Sequence, residues 1–297
     1  MSTTSDDEEV GGGDLFQEPA DYYQPEKQPT FVTHRMLNGE ELHLRLVGHN
    51  PLWGHLLWNA GRILAAYLET HSRHLIHNKS VLELGAGAGL PALTCALNGA
   101  ASVFVTDYPD PELIENLHYN IEHCPLLPDP PRITAKGYLW GAPTTLLNNP
   151  STPTPIPSTS TAPAAAAGPP TYDLLILADL LFNHSEHAAL LTTLQQTLAR
   201  TASAQALVFF TPYRPWLLEK DLAFFDLVRR GGVEAEEEEE EGKTKTSMKM
   251  KMTVEKIYEK VMEKVMFEED PGDELLRRTV FGYSIKWSTE ALGQEQE

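Results

Sequence analysis

From about residue 31 the chain alternates between two kinds of hydrophobic pattern. Residues 31–50 alternate apolar and polar positions, with Leu42, Leu44 and Leu46 on one face, which predicts a short strand. From Pro51 to Leu68 the period changes. Leu52, Leu56, Leu57, Ala60, Ile63, Leu64 and Tyr67 recur three and four residues apart, which predicts an amphipathic helix.

Beyond this the chain repeats short apolar strands and helical runs. Ser80–Leu84 (SVLEL) predicts a strand, then a glycine turn and a helix over Leu90–Asn98. Ser102–Thr106 (SVFVT) predicts a second strand, with a helix from about Pro111 to His123. Arg132–Tyr138 reads as a third strand. Asp173–Ala178 (DLLILA) reads as a fourth, with a helix from about Ser185 to Arg200. Ala206–Thr211 (ALVFFT) reads as a fifth, with a helix from Trp216 to Arg230. Near-continuous apolar strands separated by helices imply a parallel sheet covered on both faces. Val254–Met266 and Thr279–Trp287 read as two further strands with no helix between them, an antiparallel hairpin closing the sheet. The fold class is therefore α/β.

Two tracts lack core-forming patterns. Residues 143–170 are mostly Pro, Thr, Ser and Ala, and residues 234–252 are a Glu block followed by a Lys/Met block. Both read as disordered surface insertions. The expected organisation is a flexible acidic arm over residues 1–30, one domain over 31–292 carrying these insertions, and a tail over 293–297.

Composition narrows the function. The 297 residues carry a net charge of −19, which disfavours a nucleic-acid surface and is compatible with a basic protein partner. The two cysteines, Cys95 and Cys124, form neither a disulfide framework nor a metal motif. His184 and His187 lie three apart without an evident third ligand, so no metal is expected. The densest apolar run, Leu174–Phe182, is broken by Asp179 and is too short to cross a bilayer. A cytoplasmic location is expected.

The strongest chemical signal is Val81–Gly89 (VLELGAGAG), at a strand end just before a helix. Its spacing is G-x-G-x-G, with Leu90 where a pyrophosphate-binding fingerprint would have its third glycine. The turn is either a plain strand–helix connection or the seat of a ligand that plants no phosphate there. Asp107 follows about 20 residues later at the end of the next strand. It is either an acceptor for ribose hydroxyls or a cap for the next helix. Together the two features favour a nucleoside site.

These motifs resemble the seven-strand, Rossmann-like methyltransferase superfamily. Leu46–Gly61 (LVGHNPLWGHLLWNAG), Gly137–Gly141 (GYLWG), Ala178–His187 (ADLLFNHSEH), Thr211–Pro215 (TPYRP) and Leu218–Leu222 (LEKDL) narrow the resemblance. They are similar to the nicotinamide N-methyltransferase-like branch that methylates lysines and N-termini of non-histone proteins. Within it, the similarity is to fungal enzymes acting on translation elongation factor 1-alpha.

The resemblance implies S-adenosylmethionine as cofactor. It also implies the N-terminal glycine and adjacent lysine of that factor as acceptors. Trp58 would lie over the cofactor, and Gly85, Ala86 and Gly87 would pass beneath its methionine part. Asp107 would hold the ribose, Trp140 would contact the adenine, and Ala178 would leave room beside the cofactor. Asp179 and Phe182, from the Asp-x-x-aromatic stretch Asp179–Phe182, would face the substrate amine. The competing readings are a small-molecule, nicotinamide-like N-methyltransferase and a catalytically silent scaffold with the same fold.

Overall fold

The computed structural model describes residues 28–48, 50–147, 170–232 and 251–293. The expected insertions and the N-terminal arm fall largely outside the described residues.

Strands β1 (Thr30–Arg35) and β2 (Glu41–Leu46) form an antiparallel hairpin, with Leu42, Leu44 and Leu46 buried beneath it. The sequence pattern predicts one strand here; β1 escapes because its positions are mostly exposed and carry no clear alternation. Helix α1 (Asn59–Thr70) follows, then the four-residue α2 (Ser72–Leu75). The helix expected from Pro51 begins only at Asn59, and residues 51–56 form turns.

The alternation then runs β3 (Ser80–Leu84), α3 (Leu90–Leu97), β4 (Ser102–Asp107), α4 (Pro111–Glu122), β5 (Ile133–Gly137), β6 (Leu174–Ala178), α5 (His187–Thr197), β7 (Gln205–Phe210) and α6 (Leu218–Arg230). It closes with β8 (Met252–Val261), α7 (Glu274–Arg277), β9 (Thr279–Trp287) and α8 (Thr289–Gly293). The last two strands pair antiparallel as expected, but β9 rather than β8 joins the sheet at β7, and α7 lies between them. The seven-strand order is β5-β4-β3-β6-β7-β9-β8, parallel from β5 to β7. This is the Rossmann-like, mostly parallel sheet the pattern predicts.

Period-two alternation assigns each strand residue to one of two cores. Val81 of β3 and Ile176 of β6 face the layer of α1 and α3, whereas Leu82, Leu84, Leu175 and Leu177 face α5 and α6. Burying both faces explains why these strands read as unbroken apolar runs. The edges of the two low-complexity tracts also take part in the fold. Leu147 is fully buried, its carbonyl accepts from the Tyr172 hydroxyl (3.0 Å), and Met252 is buried in β8. Gly293, expected in the tail, closes α8.

The chain order places β4 on one side of β3 and β6 on the other. Open sheets of this kind leave a crevice beyond the strand ends at that reversal, and the candidate site occupies it.

Candidate active site

Three glycines shape the turn after β3. Gly85 has φ +58°, and a Cβ there would sit 2.5 Å from Leu180 Cδ2, so no larger residue fits without displacing that side chain. The turn is tied to the end of β4. The Ala86 N–H donates to the Thr106 carbonyl (3.0 Å) and the Gly87 N–H donates to Asp107 Oδ2 (2.6 Å). The Tyr108 N–H donates to Asp107 Oδ1 (2.7 Å). Asp107 therefore braces the glycine turn and does not cap the next helix; Asp110 does that, accepting from the Glu112 N–H (2.9 Å). Burial pushes the Asp107 carboxyl up, against the lowering effect of its two backbone donors.

A cavity of about 640 Å³ opens over this turn. Trp58, Gly85, Ala86, Gly87, Asp107, Trp140, Ala178, Asp179 and Phe182 all line it, so every site residue expected from the sequence comes together in one place. Among its described lining residues, Glu83, Asp107, Asp179 and Glu186 are acidic and none is Lys, Arg or His. A phosphate-bearing cofactor would meet only like charge there. A nucleoside carrying a sulfonium cation, with ribose hydroxyls to donate, fits these carboxylate acceptors.

Glu83 was missed by sequence reasoning. It is fully buried in β3, its Oε2 accepts from the Ala92 N–H at the start of α3 (2.7 Å), and burial pushes its carboxyl well up. A lone carboxylate inside the apolar run VLEL was the available signal.

Asp179 follows β6 with φ +55°, an uncommon conformation for a non-glycine residue. Its Oδ1 accepts from the Thr211 N–H after β7 (2.8 Å), and its Oδ2 accepts from the Ala60 N–H in the first turn of α1 (3.1 Å). The carboxylate thus caps a helix 119 residues away. Burial pushes it up to about 7, and the nearby Asp221 charge adds to the rise.

On the far side of Asp179 lies a second cavity of about 250 Å³, sharing Trp53, Trp58, Asp179 and Phe182 with the first. Six of its twelve described lining residues are aromatic, and Asp179, Asp221, Asp270 and Arg214 also line it. The Trp58 ring packs 5.0 Å from Tyr213 and 5.9 Å from Phe267, and Tyr213 and Phe267 are 6.0 Å apart. The Tyr213 hydroxyl accepts from the Asn59 N–H (3.3 Å), and burial pushes its ionisation far up. Phe182 is 42% exposed at the shared boundary, and its carbonyl accepts from Arg214 Nη2 (3.2 Å).

Trp53, Tyr213 and Phe267 were also missed. Tyr213 stood in a recognised stretch without a role, and Phe267 lies in an irregular loop with no local signal. His184 Nε2 lies 2.7 Å from Asp221 Oδ1, and His187 Nε2 lies 2.9 Å from the Leu181 carbonyl. Asn183 makes no side-chain cap. Among the described residues, no group of three or more His, Cys, Asp or Glu is placed to hold a metal, and no helix is long and apolar enough to cross a membrane.

The sequence profile of the "Lysine methyltransferase" family matches residues 37–150. The chain is 43% identical to the Aspergillus fumigatus protein N-terminal and lysine N-methyltransferase efm7, covering 95% of this chain and 97% of that one. The chain belongs to the protein N-terminal and lysine N-methyltransferases. Its likeness to the Emericella nidulans member is 44%, over 94% of this chain and 96% of that one. To the Debaryomyces hansenii member it is 40%, over 95% and 98%. Among solved structures, P. horikoshii TYW2 in complex with MeSAdo is similar at 14% identity and a TM-score of 0.47, covering 88% of this chain and 73% of that one. As a member of this methyltransferase family the chain uses S-adenosylmethionine, and the described lining of its larger cavity carries carboxylates and no Lys, Arg or His.

Proposed function

We propose that this methyltransferase acts on the N-terminal glycine amine and then the adjacent lysine of translation elongation factor 1-alpha, in the cytoplasm. The observation that carries the reading is the meeting of the two cavities. The larger one suits the cofactor, the smaller aromatic one suits an amine on an extended chain end, and Asp179 and Phe182 stand where they join.

In this reading Asp107 holds the ribose hydroxyls, and Gly85, Ala86 and Gly87 lie under the methionine part. Trp58 covers the cofactor, Trp140 takes the adenine, and Ala178 leaves space beside it. Bound there, S-adenosylmethionine supplies an electrophilic methyl group. What remains for the protein is to hold a neutral amine in line with it, and positioning of this kind is worth several kcal/mol. Trp58, Tyr213 and Phe267 exclude water and disfavour the charged amine, while their faces accept a methylated ammonium. An α-amine titrates near 7.7–8.0 and a lysine near 10.4, so the lysine costs roughly 3.5 kcal/mol more to deprotonate. The terminus therefore reacts first.

The test is incubation with methyl-radiolabelled cofactor and cell lysate, followed by a gel. A labelled protein band is expected. Label confined to small molecules, or none, contradicts a protein substrate.

A further inference from the structure

We propose that Asp221, backed by His184, accepts the proton that the substrate amine must lose before it can take a methyl group. The inference rests on the reading that the aromatic cavity receives the amine.

Every amine that arrives as an ammonium must first give up a proton, and each methylation creates another ammonium. Asp179 is the carboxylate nearest the junction, but both of its oxygens already accept backbone N–H groups that fix α1 and the end of β7. A proton arriving there would compete with these two backbone donors. Asp221 differs. It lines the same cavity from the first turn of α6, is buried, and is engaged by a side chain that can itself carry a proton. His184 lies 2.7 Å from Asp221 Oδ1, and its side chain is 25% exposed, against 9% for Asp221. The pair thus runs from the buried cavity wall towards solvent.

The surrounding groups suit this role. Burial pushes the Asp221 carboxyl up, opposed by His184 and by the Arg214 guanidinium before α6. Across the cavity stand Asp179, Tyr213 and Asp270, and on α5 the His187 ring meets His184 edge-on at 5.5 Å. Asp221 is also the acidic neighbour that raises Asp179.

The step balances simply. The ammonium N–H bond breaks with its electron pair left on nitrogen, and the proton moves to the Asp221 carboxylate. It is then shared with His184 Nε2 and passes from the imidazole to water. The freed lone pair would then form the new N–C bond as the cofactor's methyl–sulfur bond breaks and its electron pair returns to sulfur.

This role affects the two acceptors unequally. A terminal α-amine is often neutral near pH 7.5, whereas a lysine almost never is. Loss of the acceptor should therefore harm lysine methylation most, and least at high pH. The experiment follows both rates on a peptide with a free N-terminal glycine and adjacent lysine, from pH 6.5 to 9.5, for the wild type, Asp221→Asn and His184→Gln. In Asp221→Asn the lysine rate should fall at least about tenfold more than the terminal rate near pH 7. That gap should narrow as pH rises. His184→Gln should show the same trend more weakly, and it serves as the reading if Asp221→Asn does not fold.

Calorimetry of peptide binding in two buffers of different ionisation enthalpy adds a readout independent of turnover. The number of protons exchanged on binding should change in Asp221→Asn. Equal losses on both amines at every pH, with unchanged proton exchange, would overturn the role of Asp221. A wild-type enzyme that methylates neither amine would instead refute the substrate reading.

Discussion

Asp107 accepts from two backbone N–H groups that shape the glycine turn, and it also lines the larger cavity, where the proposed reading has it hold ribose hydroxyls. Asp107→Ala removes charge-assisted hydrogen bonds worth about 1.5–3 kcal/mol. Calorimetry should show cofactor affinity down at least roughly tenfold; an unchanged affinity in a folded variant would mean the cofactor binds elsewhere. Asp179 makes a different prediction. Its carboxyl sits at about 7 in the folded chain, against roughly 3.9 when unfolded. Between those values the folded chain holds a proton the unfolded chain lacks. The group's contribution to stability is therefore full below about pH 4 and is lost as pH rises through 7. Urea unfolding should show wild-type stability falling from pH 5 to 7.5, with on the order of 2 kcal/mol of that fall absent in Asp179→Asn. An identical pH slope in the two proteins would contradict the burial of this charge.

Among the elements, those with strong periodicity were legible and those fixed by distant partners were not. The strands β3, β4, β6 and β7 read directly from their apolar runs, because both faces of the sheet are covered. The start of α1 did not read, because the group that caps it is the Asp179 carboxylate, far away in sequence. The nine expected site residues converge because each lies at a strand end or a helix start around one crevice. Tyr213, Phe267 and Asp221 reach the smaller cavity from separate segments near the C-terminal half, which no local pattern joins. Composition also misled at the edges of both tracts. Leu147 belongs to a tract read as surface, yet it is fully buried. Leu147→Ala should cost about 2–5 kcal/mol, seen as a clear fall in melting temperature; a negligible change would show that this turn does not pack on the core.

At the scale of the whole molecule, charge and shape point to the same kind of partner. A net charge of −19 favours basic chains over nucleic acid as partners. The smaller cavity, about 250 Å³, has room for a chain end or one side chain but not for a folded surface. Its aromatic walls and carboxylates suit an amine. The crevice at the sheet's strand reversal thus meets a smaller cavity walled by the segment before α1 and by those that follow β6, β7 and β8. Mass spectrometry of the N-terminal peptide of elongation factor 1-alpha, followed in time after mixing with this enzyme and S-adenosylmethionine, tests that picture most directly. Methyl groups should appear on the terminal glycine first and on the adjacent lysine afterwards. Methylation confined to an internal lysine, or none on a free N-terminus, would contradict it.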